Sequence, residues 1–220
     1  MDFDKRKIQE SYDRIAEEYA HAYYGELAHK ILDRQFLDQL AELTKNLGVV
    51  CDMGCGPGQI ARYLKDQGVD SLGIDLSIAM VTKARQLNPD IPFQQGDMSA
   101  LRIADNSWGG IAAFYSIIHI ARQKVIDVFK EFCRVLSPGG WLLVCFHIGN
   151  DDLHVGELYG KELWLDFTFF QTDEVVKYLK AAGFKVKETI ERDPYIGFEY
   201  ESRRGYIFAQ KRNKETSSEF

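Results

Sequence analysis

The sequence predicts an α/β fold: a seven-stranded, mostly parallel sheet with helices on both faces, an antiparallel last strand and a helical segment at the N-terminus. Three observations carry this expectation. Strand-like and helix-like runs alternate from residue 49 to residue 146, the order that builds parallel β-α-β units. The apolar run Val49-Val50-Cys51 ends in Asp52 and then breaks into Gly54, Gly56 and Gly58. A second run, Ser71-Leu72-Gly73-Ile74, also ends in an acid, Asp75.

The elements follow in order. Residues 5–46 read as helices, with Ile8, Tyr12, Ile15 and Tyr19 on one face and Ile31, Phe36, Leu40 and Leu43 on a second. The stretch 20–25, holding His21, Tyr23 and Tyr24, breaks or bends between them. Strands are expected at 49–52, 71–75, 91–94, 108–115 and 141–146, and helices at 59–67, 77–87 and 123–136. Ser77 suits an N-cap, and Ser137-Pro138-Gly139-Gly140 reads as a turn into the fifth strand. After residue 147 the alternation stops. Gly149-Asn150-Asp151-Asp152 is turn-like, and 163–170 is extended, with Phe167 and Phe169 on one face and Thr168 and Phe170 on the other. Thr172 is read as the cap of a helix over 173–182, with Asp173 and Glu174 where the helix dipole favours acids. Strands at 184–191 and 205–210 complete an antiparallel hairpin with a long connection. The expectation is one domain over 1–212: a helical segment at 1–46, a core at 47–148, and an insertion, helix and hairpin at 149–212. Residues 213–220 read as a disordered tail.

Composition narrows the function. The 27 basic and 33 acidic residues are interspersed and give a net charge of -6. Nucleic-acid binding wants a basic stripe, so no nucleic-acid partner is expected. Lys211-Arg212-Asn213-Lys214 reads as a solvated tail. The four cysteines form no CxxC pair, which favours reduced thiols over disulfides or a zinc site, and no metal is assigned. The polar N-terminus has no signal-peptide core, and no apolar run reaches the roughly 18 residues of a membrane span. A cytoplasmic monomer or homodimer is the expectation.

The chemistry concentrates at the lip of the sheet. Gly54, Gly56 and Gly58 let backbone approach a ligand where a side chain would clash. The following helix opens at 57–59 with free N–H groups, and Asp75 is placed to accept from a ribose diol. The spacing is neither GxGxxG nor a P-loop. On spacing alone the run is a cofactor site or a tight structural turn.

Four motifs resolve a resemblance. Asp52-Met53-Gly54-Cys55-Gly56-Pro57-Gly58 resembles the glycine-rich first motif of class I S-adenosylmethionine-dependent methyltransferases of the single-domain, small-molecule type. Gly73-Ile74-Asp75-Leu76-Ser77, followed by Met80, resembles the second motif. Gln95-Gly96-Asp97-Met98 resembles the segment bordering the adenine, and Arg134-Val135-Leu136-Ser137-Pro138-Gly139-Gly140 the turn before the fifth strand. The likeness is strong over 45–148 and weak elsewhere. It implies a Rossmann-like fold with the helices of 1–46 and the insertion within 149–212 as a lid, and S-adenosyl-L-methionine as cofactor, with S-adenosyl-L-homocysteine as product. It also implies methyl transfer to an unidentified small-molecule acceptor in a mostly enclosed pocket. By the same resemblance Gly54, Cys55, Gly56 and Gly58 wrap the methionine part and Asp52 lies beneath its amino end. Asp75 holds the ribose, Leu76 flanks the adenine, Asp97 accepts from its amino group, Met98 covers it, and Phe114 passes near the methionine portion. Asp52 is otherwise a tie for the loop, and Met98 otherwise core.

The acceptor side is less explicit. Phe114-Tyr115-Ser116-Ile117-Ile118-His119 lacks the Asn/Asp-Pro-Pro-Tyr pattern of amino-methyltransferases that it would otherwise resemble. His119 is the first candidate base, or else a packing histidine; His147, at the same edge, is an acceptor contact or a structural hydrogen bond. Tyr19 joins them as a catalytic candidate. Tyr19, Tyr23, Tyr115, His119, His147, Trp164 and Arg203 are the candidate substrate contacts. Arg192, Arg203 and Arg204 would favour an anionic acceptor if one turned inward, and are surface ion-pair residues if not. An RNA or protein methyltransferase, a non-catalytic S-adenosylmethionine-binding protein and a nicotinamide oxidoreductase stand as alternatives.

Overall fold

A computed structural model describes residues 4–212; the tail at 213–220 lies outside the described residues. The chain opens with helix α1 (Lys5–Tyr23), a short turn of tighter helix (Glu26–Ala28) and α2 (Ile31–Thr44). Then come β1 (Val50–Met53), α3 (Gln59–Asp66), β2 (Ser71–Asp75), α4 (Ile78–Leu87), β3 (Phe93–Gln95), β4 (Trp108–Phe114), α5 (Val125–Val135) and β5 (Leu136–Ile148). The last part holds β6 (Asp152–Leu158), β7 (Lys161–Thr168), α6 (Thr172–Ala181), β8 (Phe184–Arg192) and β9 (Arg203–Lys211).

Seven strands form one sheet in the order β3-β2-β1-β4-β5-β9-β8. β1 to β5 run parallel, and β9 is antiparallel to both its neighbours. The order reverses between β1 and β4, and such a switch point opens a crevice at the carboxyl ends of the strands. Period-two alternation divides the core. Ile111, Ala113, Leu142 and Val144 face α5 and α6, packing with Phe129, Phe132 and Leu179. Ala112, Leu143 and Cys145 face α2 and α3, packing with Leu37, Leu40, Ile60 and Leu64.

Local chemistry explains most boundaries. The Ser77 hydroxyl accepts from the Met80 N–H at 3.1 Å, capping α4. Thr172 does not cap α6: Gln171 holds that position without a side-chain bond, while the Thr172 hydroxyl donates to Glu191 on β8 at 2.6 Å. Tying the helix to the sheet takes the hydroxyl away from the cap, and Asp173 and Glu174 remain to meet the helix dipole. Residues 137–140 belong to β5 itself; the ladder with β4 shifts register between Trp108 and Gly110, and Gly139 takes a φ of 76°.

The sequence reading also lacked β6. It pairs with β7 through a two-residue tip, Tyr159-Gly160, whose φ values of 55° and 71° suit a tight hairpin. This hairpin lies against α1, where Leu163 and Leu165 bury beside Ile8 and Ile15. The Trp164 N–H donates to the Ser11 hydroxyl at 2.8 Å.

Gly58 is held by sterics. Its φ is 88°, and an added Cβ would sit 2.7 Å from the Phe93 ring. Gly25 has open space and a φ of -92°. Gly58→Ala is therefore expected to lower the urea unfolding free energy by about 1–3 kcal/mol, and Gly25→Ala to change it by less than about 0.5 kcal/mol. Equal effects would contradict this account of the loop.

Candidate active site

The carboxyl ends of β1, β2, β4 and β5 open into a cavity of about 380 Å³. That lies within the roughly 300–1,000 Å³ typical of small-molecule sites. One end is the loop after β1. Gly54 and Gly56 take φ values of 73° and 50°, and a Cβ on Gly54 would lie 2.4 Å from the Ser116 Cβ. The Gly54 and Cys55 N–H groups donate to the Ile74 carbonyl at 2.7 and 3.0 Å, binding the loop to β2.

Acids brace this end. Asp75 accepts from the Gly56 N–H and the Ser77 N–H, both at 2.8 Å, and burial pushes its carboxyl up to about 6. Asp52 accepts from the Ala61 N–H at 3.0 Å, fastening the start of α3 to β1, and burial raises it to about 8. Asp97 accepts from the Ser99 N–H and hydroxyl and from Lys5 Nζ, the last at 2.6 Å. Burial opposes its charge, but Lys5 and Ser99 outweigh burial and hold the carboxyl below its ordinary value.

Leu76, Met80, Met98 and Phe114 also reach the cavity wall. Gly58 does not; it packs on Phe93 and Asn88. Beside the loop, Gln59 Oε1 and Ser116 Oγ are buried and have no hydrogen-bond partner among the described residues. A cradle that admits no side chain, an acid at the end of β2 and two orphaned polar atoms together fit the amino-acid and ribose parts of S-adenosylmethionine.

Helix α1 roofs the cavity with Tyr12, Tyr19 and Tyr23, the Tyr19 and Tyr23 rings 4.5 Å apart. Asp13, on the same helix, accepts from the Ala79 N–H at 3.0 Å and the Ser77 hydroxyl at 2.5 Å, so α1 adds a second cap to α4. The β6–β7 hairpin supplies Leu153, Val155 and Phe167.

At the other end His119 and His147 both face the cavity. The Asp166 carbonyl, 3.0 Å from His119 Nδ1, can only accept, so Nδ1 carries the proton. His119 Nε2 then accepts from the Tyr12 hydroxyl at 2.7 Å. Burial lowers the His119 pKa to about 4. His147 stacks on Phe169 with ring centres 5.2 Å apart and shares a 2.7 Å bond between Nδ1 and Ser202 Oγ. Burial, then the charge of Arg204, lowers it to about 3. Tyr115, at a φ of 50°, bonds the Tyr206 hydroxyl at 3.2 Å.

Two expected substrate contacts lie elsewhere. Trp164 is 45% exposed, on the side of β7 opposite Leu163 and Leu165, with Lys7 Nζ 3.7 Å above its ring. Arg203 pairs with Glu191 and Asp193 at the surface. In the β5–β9 ladder Arg203 sits opposite Ile148 and Arg204 opposite His147, so Arg204 is the one that turns inward. Lys30 and Glu199 are wall residues that the sequence did not point to, while Tyr12 and Arg204 were candidates without a settled place. Tyr12 shared the spacing of Tyr19 and was legible; Arg204 depended on a ladder register that sequence does not carry.

A family model described as a methyltransferase domain matches residues 50–140. The chain is 31% identical over 145 residues to malonyl-[acyl-carrier protein] O-methyltransferase of Enterobacter lignolyticus, covering 63% of this chain and 53% of that protein. It is 33% identical over 95 residues to demethylmenaquinone methyltransferase of Renibacterium salmoninarum, covering 43% and 39%. The chain thus spans about half or less of these two relatives. Magnesium protoporphyrin IX methyltransferase from Synechocystis, solved with bound SAM, superposes with a TM-score of 0.69 at 17% identity, over 96% of this chain and 98% of that one. The PH0226 protein of Pyrococcus horikoshii gives 0.69 at 19% identity, over 91% and 99%. The chain shares the fold of these two solved structures, and its residues 50–140 match a methyltransferase domain.

Proposed function

We propose that the protein transfers a methyl group from S-adenosylmethionine to a small-molecule acceptor enclosed beneath α1 and the β6–β7 hairpin. One observation carries this reading: the glycine loop with Asp75 and the aromatic chamber at His147 line a single roofed cavity. An RNA or peptide substrate needs an open groove, and the net charge of -6 does not favour RNA. The two curated relatives are named for different acceptors, so they support the reaction type and not one substrate. Four free cysteines suit a reducing, cytoplasmic setting.

When bound, S-adenosylmethionine supplies a methyl group activated on a sulfonium. The chain's part is position, electrostatics and proton movement. In this reading Gly54, Cys55, Gly56 and Asp52 receive the amino-acid end, with Phe114 alongside, and Asp75 accepts from the ribose. Leu76, Met80 and Met98 enclose the adenine, and Asp97 accepts from its amino group. Tyr19, Tyr23 and Tyr115 orient the acceptor, with His147 beside them. The Tyr12 hydroxyl takes a proton from the acceptor while passing its own to His119 Nε2, and the Asp166 carbonyl stabilises the imidazolium through Nδ1–H. Burial keeps His119 neutral near pH 7, ready to receive that proton.

Calorimetric titration with S-adenosylhomocysteine tests the reading, with NADH as the comparison. Micromolar binding is expected. Asp75→Ala should weaken it roughly 10- to 100-fold, the loss of a charged hydrogen-bond partner. Absence of binding by folded protein, or preference for NADH, would sink the proposal.

His119 also sets a pH dependence. Its folded pKa lies below its unfolded value, so its contribution is fully present above about pH 6.5 and is lost as pH falls towards 4. The stability difference between wild type and His119→Gln should therefore shift against wild type by on the order of 2–3 kcal/mol between pH 7 and pH 4. A pH-independent difference in urea unfolding would contradict the neutral, buried imidazole.

A further inference from the structure

Beyond Tyr115 the cavity ends at charged side chains that the proton relay leaves without a task. Arg192 is saturated: it bonds Asp33 at 3.0 Å, Glu199 at 2.6 and 2.9 Å, and the Tyr206 hydroxyl at 3.0 Å. Glu199 accepts further from the Tyr195 N–H at 2.9 Å and lies 3.4 Å from Lys30 Nζ. Lys30 itself bonds Glu26 at 2.6 Å.

Arg204 is different. The residue is 2% exposed and lines the cavity. Its Nη1 is anchored by the Tyr200 and Ser202 carbonyls and the Ser202 hydroxyl. Its Nε is buried without a hydrogen bond, 3.5 Å from Glu199 Oε2, and among the described residues no hydrogen bond is made by Nη2. A buried guanidinium with one edge unmet is costly. Nε is buried and ion-paired with Glu199, so Nη2 is the donor left open, and a carboxylate oxygen can accept from it. Aromatic groups surround it. The guanidinium lies 5.9 Å from the Tyr115 ring centre, and the Tyr200 ring packs on His147 and Phe169. Lys30 Nζ, 5.4 Å from the same Tyr115 ring, adds a second cation.

We propose that the acceptor carries a carboxylate, docked on the open Nη2 donor of Arg204, with a flat apolar body laid against Tyr115, Phe169 and Tyr200. The inference rests on the methyl-transfer reading, since it places this end of the acceptor away from the glycine loop. The donor count favours a single carboxylate. Lys30, Arg192 and Arg204 are offset by Glu26, Asp33 and Glu199, so this wall is charge-balanced and one donor is left open, too few for a dianionic phosphate.

The test is calorimetry on the full chain loaded with S-adenosylhomocysteine, using benzoate, phenylacetate and cinnamate, each against its primary amide. At least one acid should bind about tenfold or more tighter than its amide, and Arg204→Gln should reduce that preference to about threefold or less. Arg204→Lys, which keeps the charge but not the guanidinium's Nη2 donor, should give an intermediate preference. The wild-type comparison does not depend on any variant folding. Equal affinity for acid and amide, no binding of any acid, or a preference that survives in Arg204→Gln would overturn the proposal. Binding of S-adenosylhomocysteine without acid preference sinks the carboxylate subsite alone. Failure to bind S-adenosylhomocysteine sinks the parent reading, and the same acid–amide comparison on the unloaded chain then decides the subsite.

Discussion

The cavity exists because α1 lies across the carboxyl edge of the sheet. An apolar seam holds it there: Ile8 and Ile15 bury against Leu163 and Leu165 of the hairpin, each worth about 2 kcal/mol of transfer free energy. Polar contacts then fix its register. The Tyr12–His119 bond is partly buried and contributes about 1 kcal/mol. Asp13 meets the positive end of α4. The Lys5–Asp97 pair is half exposed on the lysine side and adds little to stability. Without this helix the glycine loop would be an open lip and His119 would lose its Tyr12 partner.

The same contacts give the proposed chemistry its shape. Asp75 accepts two backbone N–H bonds in the structure as it stands, so the carboxylate assigned to the ribose also braces the loop that cradles the methionine part. Lys5 occupies the edge of Asp97 assigned to the adenine, and an exposed ion pair is cheap to exchange. His119 is held neutral by burial and oriented by the Asp166 carbonyl. In the proposed relay it would act through Tyr12, because its Nε2 already accepts from that hydroxyl.

Much of this was legible in the sequence where a local rule governs. Asp75 ends β2 and Asp52 lies one residue before the end of β1, both beside the crevice at the carboxyl edge of apolar strands. Ser77 caps because its hydroxyl accepts from the Met80 N–H while donating to Asp13, whereas the Thr172 hydroxyl is drawn to Glu191 by tertiary packing. β6 escaped notice because its alternation is broken by a bulge between Val155 and Glu157, which hides the period of two. Trp164 and Arg203 show the other limit. Each lies one residue from an inward-facing position, and a single register step reverses the face of every side chain on a strand. No local pattern decides between Arg203 and Arg204; the pairing of β9 with β5 does.

A crystal structure of the complex with S-adenosylhomocysteine tests the central claim most directly. The account predicts the ligand beneath α1, its ribose hydroxyls on Asp75, its amino-acid end against the loop at Gly54 and Gly56, and Lys5 displaced from Asp97. A ligand bound outside the roofed cavity, or inside it with Asp75 unengaged, would contradict the account.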